Sequence, residues 1–263
     1  MSVTTRSRRR ARGSLPSAFL LSAMLGGVVL LLVLQVAYPL VHGQQRRAVT
    51  IASVVVFAAG SLAHAAWSRG RGAAWWLLIV AGGGGLIAEV IGSHTGFPFG
   101  HYEYANSLGA EVFGVPVVVP FAWLMMAWPA LIAGRRVAHG RRVVTVMIGA
   151  SILTTWDLFL DPQMVHEGHW RWLATSGPAL NGIPIVNTAG WFAVAVLMMG
   201  LLDRVVARDV HRSASDLFVA VVLGWTWFSQ TFGHLVFFGT PWVGLTGGLA
   251  MGAVLLVGAR AGE

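Results

Sequence analysis

The 263-residue chain contains no cysteine, no lysine and few charged residues of either sign. Without cysteine there can be no disulfide, no thiolate metal site and no cysteine nucleophile. Charged residues make up 11% of the chain, whereas a soluble domain carries about a quarter. With 56% apolar residues and a mean hydropathy of +0.70, a water-soluble globular fold is excluded. The 18 basic residues, all Arg, stand against 10 acids and leave a net charge of +8. In a soluble protein that balance would point to nucleic acid. Here the Arg residues sit in short segments between apolar runs, where they set membrane topology, and no nucleic-acid partner is expected.

What the chain does have is long apolar runs. Eight approach or exceed the roughly 20 residues that cross a bilayer core, at about 17–41, 48–67, 73–92, 115–133, 143–160, 183–202, 216–238 and 241–259. The expected fold is an all-α, polytopic membrane bundle of about eight helices. Seven is the alternative, because the fifth run is short and a tight turn joins the last two. The first run follows Arg6, Arg8, Arg9, Arg10 and Arg12. It is too long for a signal peptide and lacks a small-x-small cleavage site, so it reads as a retained span. One transmembrane domain, 17–259, then lies between an Arg-rich tail, 1–16, and a short C-terminal tail, 260–263. With the N-terminus cytoplasmic, 15 Arg residues fall inside and only Arg46, Arg47 and Arg171 outside, as the positive-inside rule requires. Both termini are therefore expected in the cytoplasm and the chain in a bacterial plasma membrane.

The polar residues are concentrated on the outer side. Segments 93–114 and 161–182 interleave Trp and Tyr with His, Glu and Asp. An interfacial aromatic belt explains aromatics alone; the added acids and histidines favour folded caps or re-entrant segments. Glu89 lies in span three. Asp157 and Asp161 lie at the end of span five, four apart and so on one helical face. Gln230, Thr231 and His234 share a face of span seven with Trp227 one turn earlier. Acids within a span are costly and mark function by default. Gly114 to Trp123 aligns without gaps to Gly182 to Trp191, each stretch preceded by an acidic helix end and an aromatic loop. This is a weak internal repeat of helix–cap–helix units, with Pro116, Pro184 and Pro241 in the opening turns of spans four, six and eight. Glycines 82–85, and Gly244, Gly248 and Gly252, read as tight helix packing.

Gly96-Phe-Pro-Phe-Gly100-His-Tyr102-Glu-Tyr104 followed by Gly114-Val-Pro116 resembles the pattern of a family of integral-membrane carotenoid biosynthesis proteins. So do Trp156-Asp157-Leu-Phe-Leu-Asp161-Pro162-x-Met164, Trp170-x-Trp172 and Gly182-Ile-Pro184-x-x-Asn187-x-x-Gly190-Trp191. The resemblance covers residues 80–200 well, the last two spans loosely and the first two mainly by hydropathy. Thr188-Ala189 stands where the family pattern has an aromatic residue, which bears on substrate shape. The family includes carotenoid end-group hydratases of the bisanhydrobacterioruberin hydratase type. The resemblance therefore implies addition of water to the terminal double bond of an acyclic carotenoid, giving a tertiary alcohol, with no cofactor and no metal. The implied partners are the carotenoid, the bilayer and other enzymes of carotenoid biosynthesis.

The polar residues suit that chemistry. An unactivated alkene needs a positioned acid, and burial keeps a carboxylic acid protonated. Asp157 is the candidate proton donor, with Asp161 or Glu89 as its partner. His94, His101, Asn187 and His234 are candidates to hold water. Tyr102, Tyr104, Trp156, Trp170, Trp191 and Trp227 are candidate walls for substrate and for a tertiary cation. Two alternatives remain. A metal-dependent lipid hydroxylase or desaturase could draw on His94, His101, His166, His169 and His234, although clustered histidine boxes are missing. A proton-coupled transporter could use the intramembrane acids. His64 reads as a packed polar residue, and Asp203 and Asp209 as partners of nearby Arg.

Overall fold

The computed structural model describes residues 15–173, 177–208 and 216–261. The Arg cluster at 6–12, Asp209, Arg212 and residues 262–263 lie outside the described residues.

Each apolar run is a helix. They are α1 (Leu15–Ala37), α2 (Gly43–Arg69), α3 (Arg71–Thr95), α4 (Val118–Ala138), α5 (Arg142–His166), α6 (Ile185–Val205), α7 (Leu217–Val236) and α8 (Pro241–Ala261). Seven are long and apolar enough to cross a membrane. The eighth, α7, is as long, but Ser229, Gln230, Thr231 and His234 lower its hydropathy. The fold is thus an all-α polytopic bundle.

α4 is the hub. It is apolar all round, as a fully buried helix must be, and Trp123, Leu124, Met126, Trp128 and Leu131 are completely enclosed. His64 on α2 is buried against it and accepts a hydrogen bond from Trp128 Nε1 at 2.9 Å, so it is a packed polar residue. Within α3 a π-helical turn, Leu78–Gly83, leads into the glycine stretch, a rare irregularity that is frequent at functional sites. The α8 glycines do pack tightly. A Cβ on Gly248 would lie 2.9 Å from Thr231 Cγ2, and one on Gly252 would lie 2.9 Å from Trp227 Nε1. At the Arg-rich end Asp203 receives Arg135 at 2.9 Å and Arg208 at 2.5 Å.

Several boundaries move by a few residues, and the end of α5 moves furthest. α5 does not stop at 160 but continues through Asp161 and Pro162 to His166, and Gly168 follows in a left-handed conformation (φ 71°). Proline in a helix removes one backbone hydrogen bond. The loss here is confined to the last turns, and Asp161 stays one turn above Asp157.

The two polar, aromatic segments are small β caps rather than re-entrant helices. β1 (Tyr102–Tyr104) pairs antiparallel with β4 (Trp170–Trp172), placing Tyr102 opposite Trp172, Glu103 opposite Arg171 and Tyr104 opposite Trp170. β2 (Glu111–Val112) and β3 (Val115–Pro116) form one hairpin, β5 (Ala179–Leu180) and β6 (Ile183–Pro184) another. Both turns have positive φ at two central residues, Phe113-Gly114 and Asn181-Gly182, the backbone of a type I′ turn.

The caps extend the repeat well beyond the ten residues aligned above. The same ungapped register pairs Glu89 with Asp157, Gly100 with Gly168, His101 with His169, Tyr102 with Trp170, Tyr104 with Trp172, and Trp123 with Trp191. Two units, α3–cap–α4 and α5–cap–α6, run in the same direction. The β1–β4 register, which centres on Glu103 and Arg171, relates them by a local two-fold. Glu103 and Arg171 also form an ion pair at 2.8 Å, but both are largely exposed. Exposed pairs contribute at most about 1 kcal/mol. Glu103→Ala is therefore expected to leave thermal stability in detergent nearly unchanged, and a fall of many degrees would show that the cap depends on this pair.

Candidate active site

The local two-fold brings one acid from each unit into the same cavity. Glu89 and Asp157 both line a chamber of about 80 Å³ beneath the paired strands, with Asp161, Asn187 and a wall of aromatic rings. A water needs roughly 10–15 Å³ of such space, so the chamber has room for a small branched hydrocarbon end or a few waters.

The equivalent acids have different surroundings. Glu89 receives three hydrogen bonds: Tyr102 Oη donates to Oε2 at 2.6 Å, Tyr104 Oη to Oε2 at 2.7 Å, and Trp123 Nε1 to Oε1 at 2.8 Å. Burial, reinforced by the neighbouring Glu89, holds both tyrosine hydroxyls well above the usual tyrosine range, so they remain donors. Among the described residues Asp157 has one donor: Asn187 Nδ2 reaches its Oδ2 at 3.0 Å. The same amide reaches Asp161 Oδ2 at 2.7 Å, and Trp170 Nε1 donates to Asp161 Oδ1 at 2.6 Å. One amide thus bridges two carboxyls that helical spacing placed on one face. All three acids and Asn187 are buried.

The aromatic wall comes from both units. The repeat mates Trp123 and Trp191 stack at 3.8 Å with 11° between planes. Tyr104 meets Trp170 edge-on at 5.8 Å, and Tyr102 leans on Trp172 at 5.3 Å. Phe99 is wedged between α3 and α6. A Cβ on Gly92 would lie 2.6 Å from Phe99 Cδ2, and one on Gly190 would lie 2.6 Å from the Pro98 carbonyl and 2.9 Å from Phe99 Cδ1. Gly190→Ala should therefore push the first cap, with Tyr102, away from Glu89. Overpacking of this kind costs about 1–3 kcal/mol. The expected result is a lower melting temperature together with reduced turnover, and an unchanged protein would contradict the close packing.

Of the sequence candidates, Glu89, Asp157, Asp161, Tyr102, Tyr104, Trp170, Asn187 and Trp191 converge on this chamber. Trp156 lines an adjoining chamber and touches the first only through its edge-on contact with Trp191 at 6.1 Å. Four candidates lie elsewhere. His94 turns back to the Val90 carbonyl at 2.9 Å, and His101 is exposed. Trp227 donates to the Gly248 carbonyl at 2.8 Å in the tight α7–α8 seam. His234 is bound to Thr240 Oγ1 at 2.8 Å and stacked on Phe159. Helical facing toward the cap end is not enough, because α7 turns this face into α8's glycine groove. The other histidines of the cap region disperse too: His169 is buried beside Ser107 Oγ at 2.8 Å, and burial lowers its pKa. Trp123, Phe99 and Trp172 belong to the chamber without having been singled out. Trp123 was recoverable as the repeat partner of Trp191.

Residues 48–254 match the family model described as carotenoid biosynthesis protein. The chain is also 32% identical over 186 residues to bisanhydrobacterioruberin hydratase of Haloarcula japonica, a match covering 64% of this chain and 58% of that protein. The chain thus aligns with less than two thirds of that relative's length. No solved structure matches it.

Proposed function

The chain belongs to the carotenoid biosynthesis protein family, and from that premise we propose that it adds water to the terminal trisubstituted double bond of an acyclic carotenoid. The observation that carries this is the Asp157–Asn187–Asp161 bridge inside an aromatic chamber, with the repeat-related Glu89 on the same chamber. Asp157 gives its proton to the less substituted alkene carbon. The alkene's π electrons form the new C–H bond, leaving a tertiary cation on the dimethyl carbon. Aromatic faces such as Trp191 and Tyr102 stabilise that cation without attacking it. Glu89, fixed by its three donors, supplies oriented negative charge where positive charge develops. A water lone pair closes on the cation, and the proton it sheds passes to the Asp157–Asp161 pair, restoring the acid. Atoms balance as substrate plus water, and no electron is gained or lost.

Asp157 is assigned the donor role because Glu89 is already committed as an acceptor of three hydrogen bonds. Asn187 holds both aspartates in register, and Asp161 is the acceptor nearer the caps. The caps and the acid chamber lie at the Arg-poor end. The positive-inside rule assigns that end to the outer face of a bacterial plasma membrane, with both termini in the cytoplasm. Expression in a lycopene-producing host, followed by mass analysis of extracted pigments, tests the proposal. A pigment heavier by one water per reacted end is expected, and unaltered pigment from a well-expressed protein would overturn it.

A further inference from the structure

A second chamber of about 370 Å³ lies between α1, α2, α5 and α7. It shares Thr50, Val54, Met125, Leu160 and Met164 with the acid chamber, so the two are separated only by a common wall. Its far side reaches the lipid-facing surface, where Val36, Leu40, Phe228, Phe232 and Phe237 line it and are themselves exposed. There Trp225 Nε1 on α7 donates a hydrogen bond to Gln35 Oε1 on α1 at 2.6 Å. Flat and polarisable groups, Trp156, Trp225, Met125 and Met164, make up much of the interior; rings and thioethers pack well against a planar π system. Ser53 Oγ and Gln230 Oε1 also line the space, buried and without a partner among the described residues, as in a ligand chamber rather than a closed core.

Resting on the hydration proposed above, we infer that this chamber holds the conjugated chain of the same carotenoid. The substrate enters sideways from the bilayer between α1 and α7 and threads its end past Met125 and Met164 to Asp157. The volumes fit this division. The acid chamber takes only an end group, and the larger, adjoining chamber is more than four times its size. A bilayer-dissolved hydrocarbon has no need of the aqueous cap face, and the exposed residues at the mouth are apolar.

The test is binding, read without turnover. Lycopene is titrated into purified protein in lipid nanodiscs, following induced circular dichroism in the polyene band and quenching of tryptophan fluorescence. Wild type and Asp157→Asn are expected to bind alike. Ser53→Phe, which fills the chamber, should weaken binding at least tenfold, as should Val36→Trp at the mouth. Leu249→Trp, on the lipid-facing side of α8, should bind like wild type. Should Ser53→Phe fail to fold, Val36→Trp at an already exposed position carries the test. Wild-type affinity in a folded blocked variant, or no induced signal in wild type, would overturn the chamber assignment. Binding that the blocked variants lose, without hydrated product from wild type, would instead refute hydration and leave the chamber standing.

Discussion

Asp157→Asn is expected to yield a folded, membrane-inserted protein that makes no detectable hydrated carotenoid. The substitution keeps the side chain's shape, and its amide oxygen still accepts from Asn187 Nδ2, which lies 3.0 Å from Asp157 Oδ2. What disappears is the transferable proton. General acid catalysis contributes about 10²–10⁴-fold, and the proposed mechanism routes the alkene's proton through Asp157. Pigment analysis alongside membrane fractionation checks it. Asp157→Ala is a poorer probe, since it also leaves a buried amide N–H without its acceptor. Hydrated product at the wild-type rate from Asp157→Asn would remove Asp157 from the donor role.

Glu89 should separate charge from structure. Glu89→Ala leaves Tyr102, Tyr104 and Trp123 with buried, unanswered donors. At about 1–3 kcal/mol for each orphaned group, the loss approaches the whole stability margin of roughly 5–15 kcal/mol. This variant is expected not to accumulate. Glu89→Gln should fold. Its oxygen can face Trp123 Nε1, which only donates, while its amide faces Tyr102 and Tyr104, whose hydroxyls can turn to accept. The negative charge is gone, and the loss of a preorganised electrostatic group costs about 10²–10³-fold in rate. Turnover should fall by that order while thermal stability changes modestly. Full activity in Glu89→Gln would show that the cation is stabilised by the rings alone.

These expectations rest partly on what the sequence made legible. Long apolar runs mark helices, so all eight were readable, although the short fifth run and the tight turn between the last two left seven as the alternative, and most boundaries moved by only a few residues. The exception, α5, ran on through Pro162 because a proline near a helix end breaks too little to stop it. The one-turn spacing of Asp157 and Asp161 was readable for the same reason: helical periodicity is local. The partners of Glu89 were not. Trp123 and Tyr104 reach it from another helix and a cap strand, and nothing local in Glu89's neighbourhood names them. The repeat could have done so, since the register that aligns Trp123 with Trp191 also aligns Glu89 with Asp157. Duplication is a long-range signal that periodicity does not carry. Trp227 and His234 show the converse. Their common face was read correctly, but whether that face meets a cavity or a glycine groove depends on where α8 packs.

The duplicated architecture also gives the proposed division of labour a physical basis. Two equivalent acids meet near a local two-fold, but their donors differ, and only Asp157 has a second carboxyl, Asp161, one turn away where the other unit has Ser93. The unit with Tyr102 and Tyr104 saturates its acid, while the unit with Trp170 and Trp172 has no hydroxyl to offer at the equivalent positions. The tyrosines that stand where the other unit has tryptophans supply two of Glu89's three donors, and Trp123 supplies the third.

The most direct measurement is the origin of the added atoms. Turnover in water labelled with heavy oxygen, and separately in heavy water, should place solvent oxygen in the tertiary alcohol and solvent hydrogen on the adjacent carbon, with molecular oxygen contributing nothing. An alcohol whose oxygen comes from molecular oxygen, or one formed without solvent hydrogen on the neighbouring carbon, would contradict acid-catalysed hydration at Asp157.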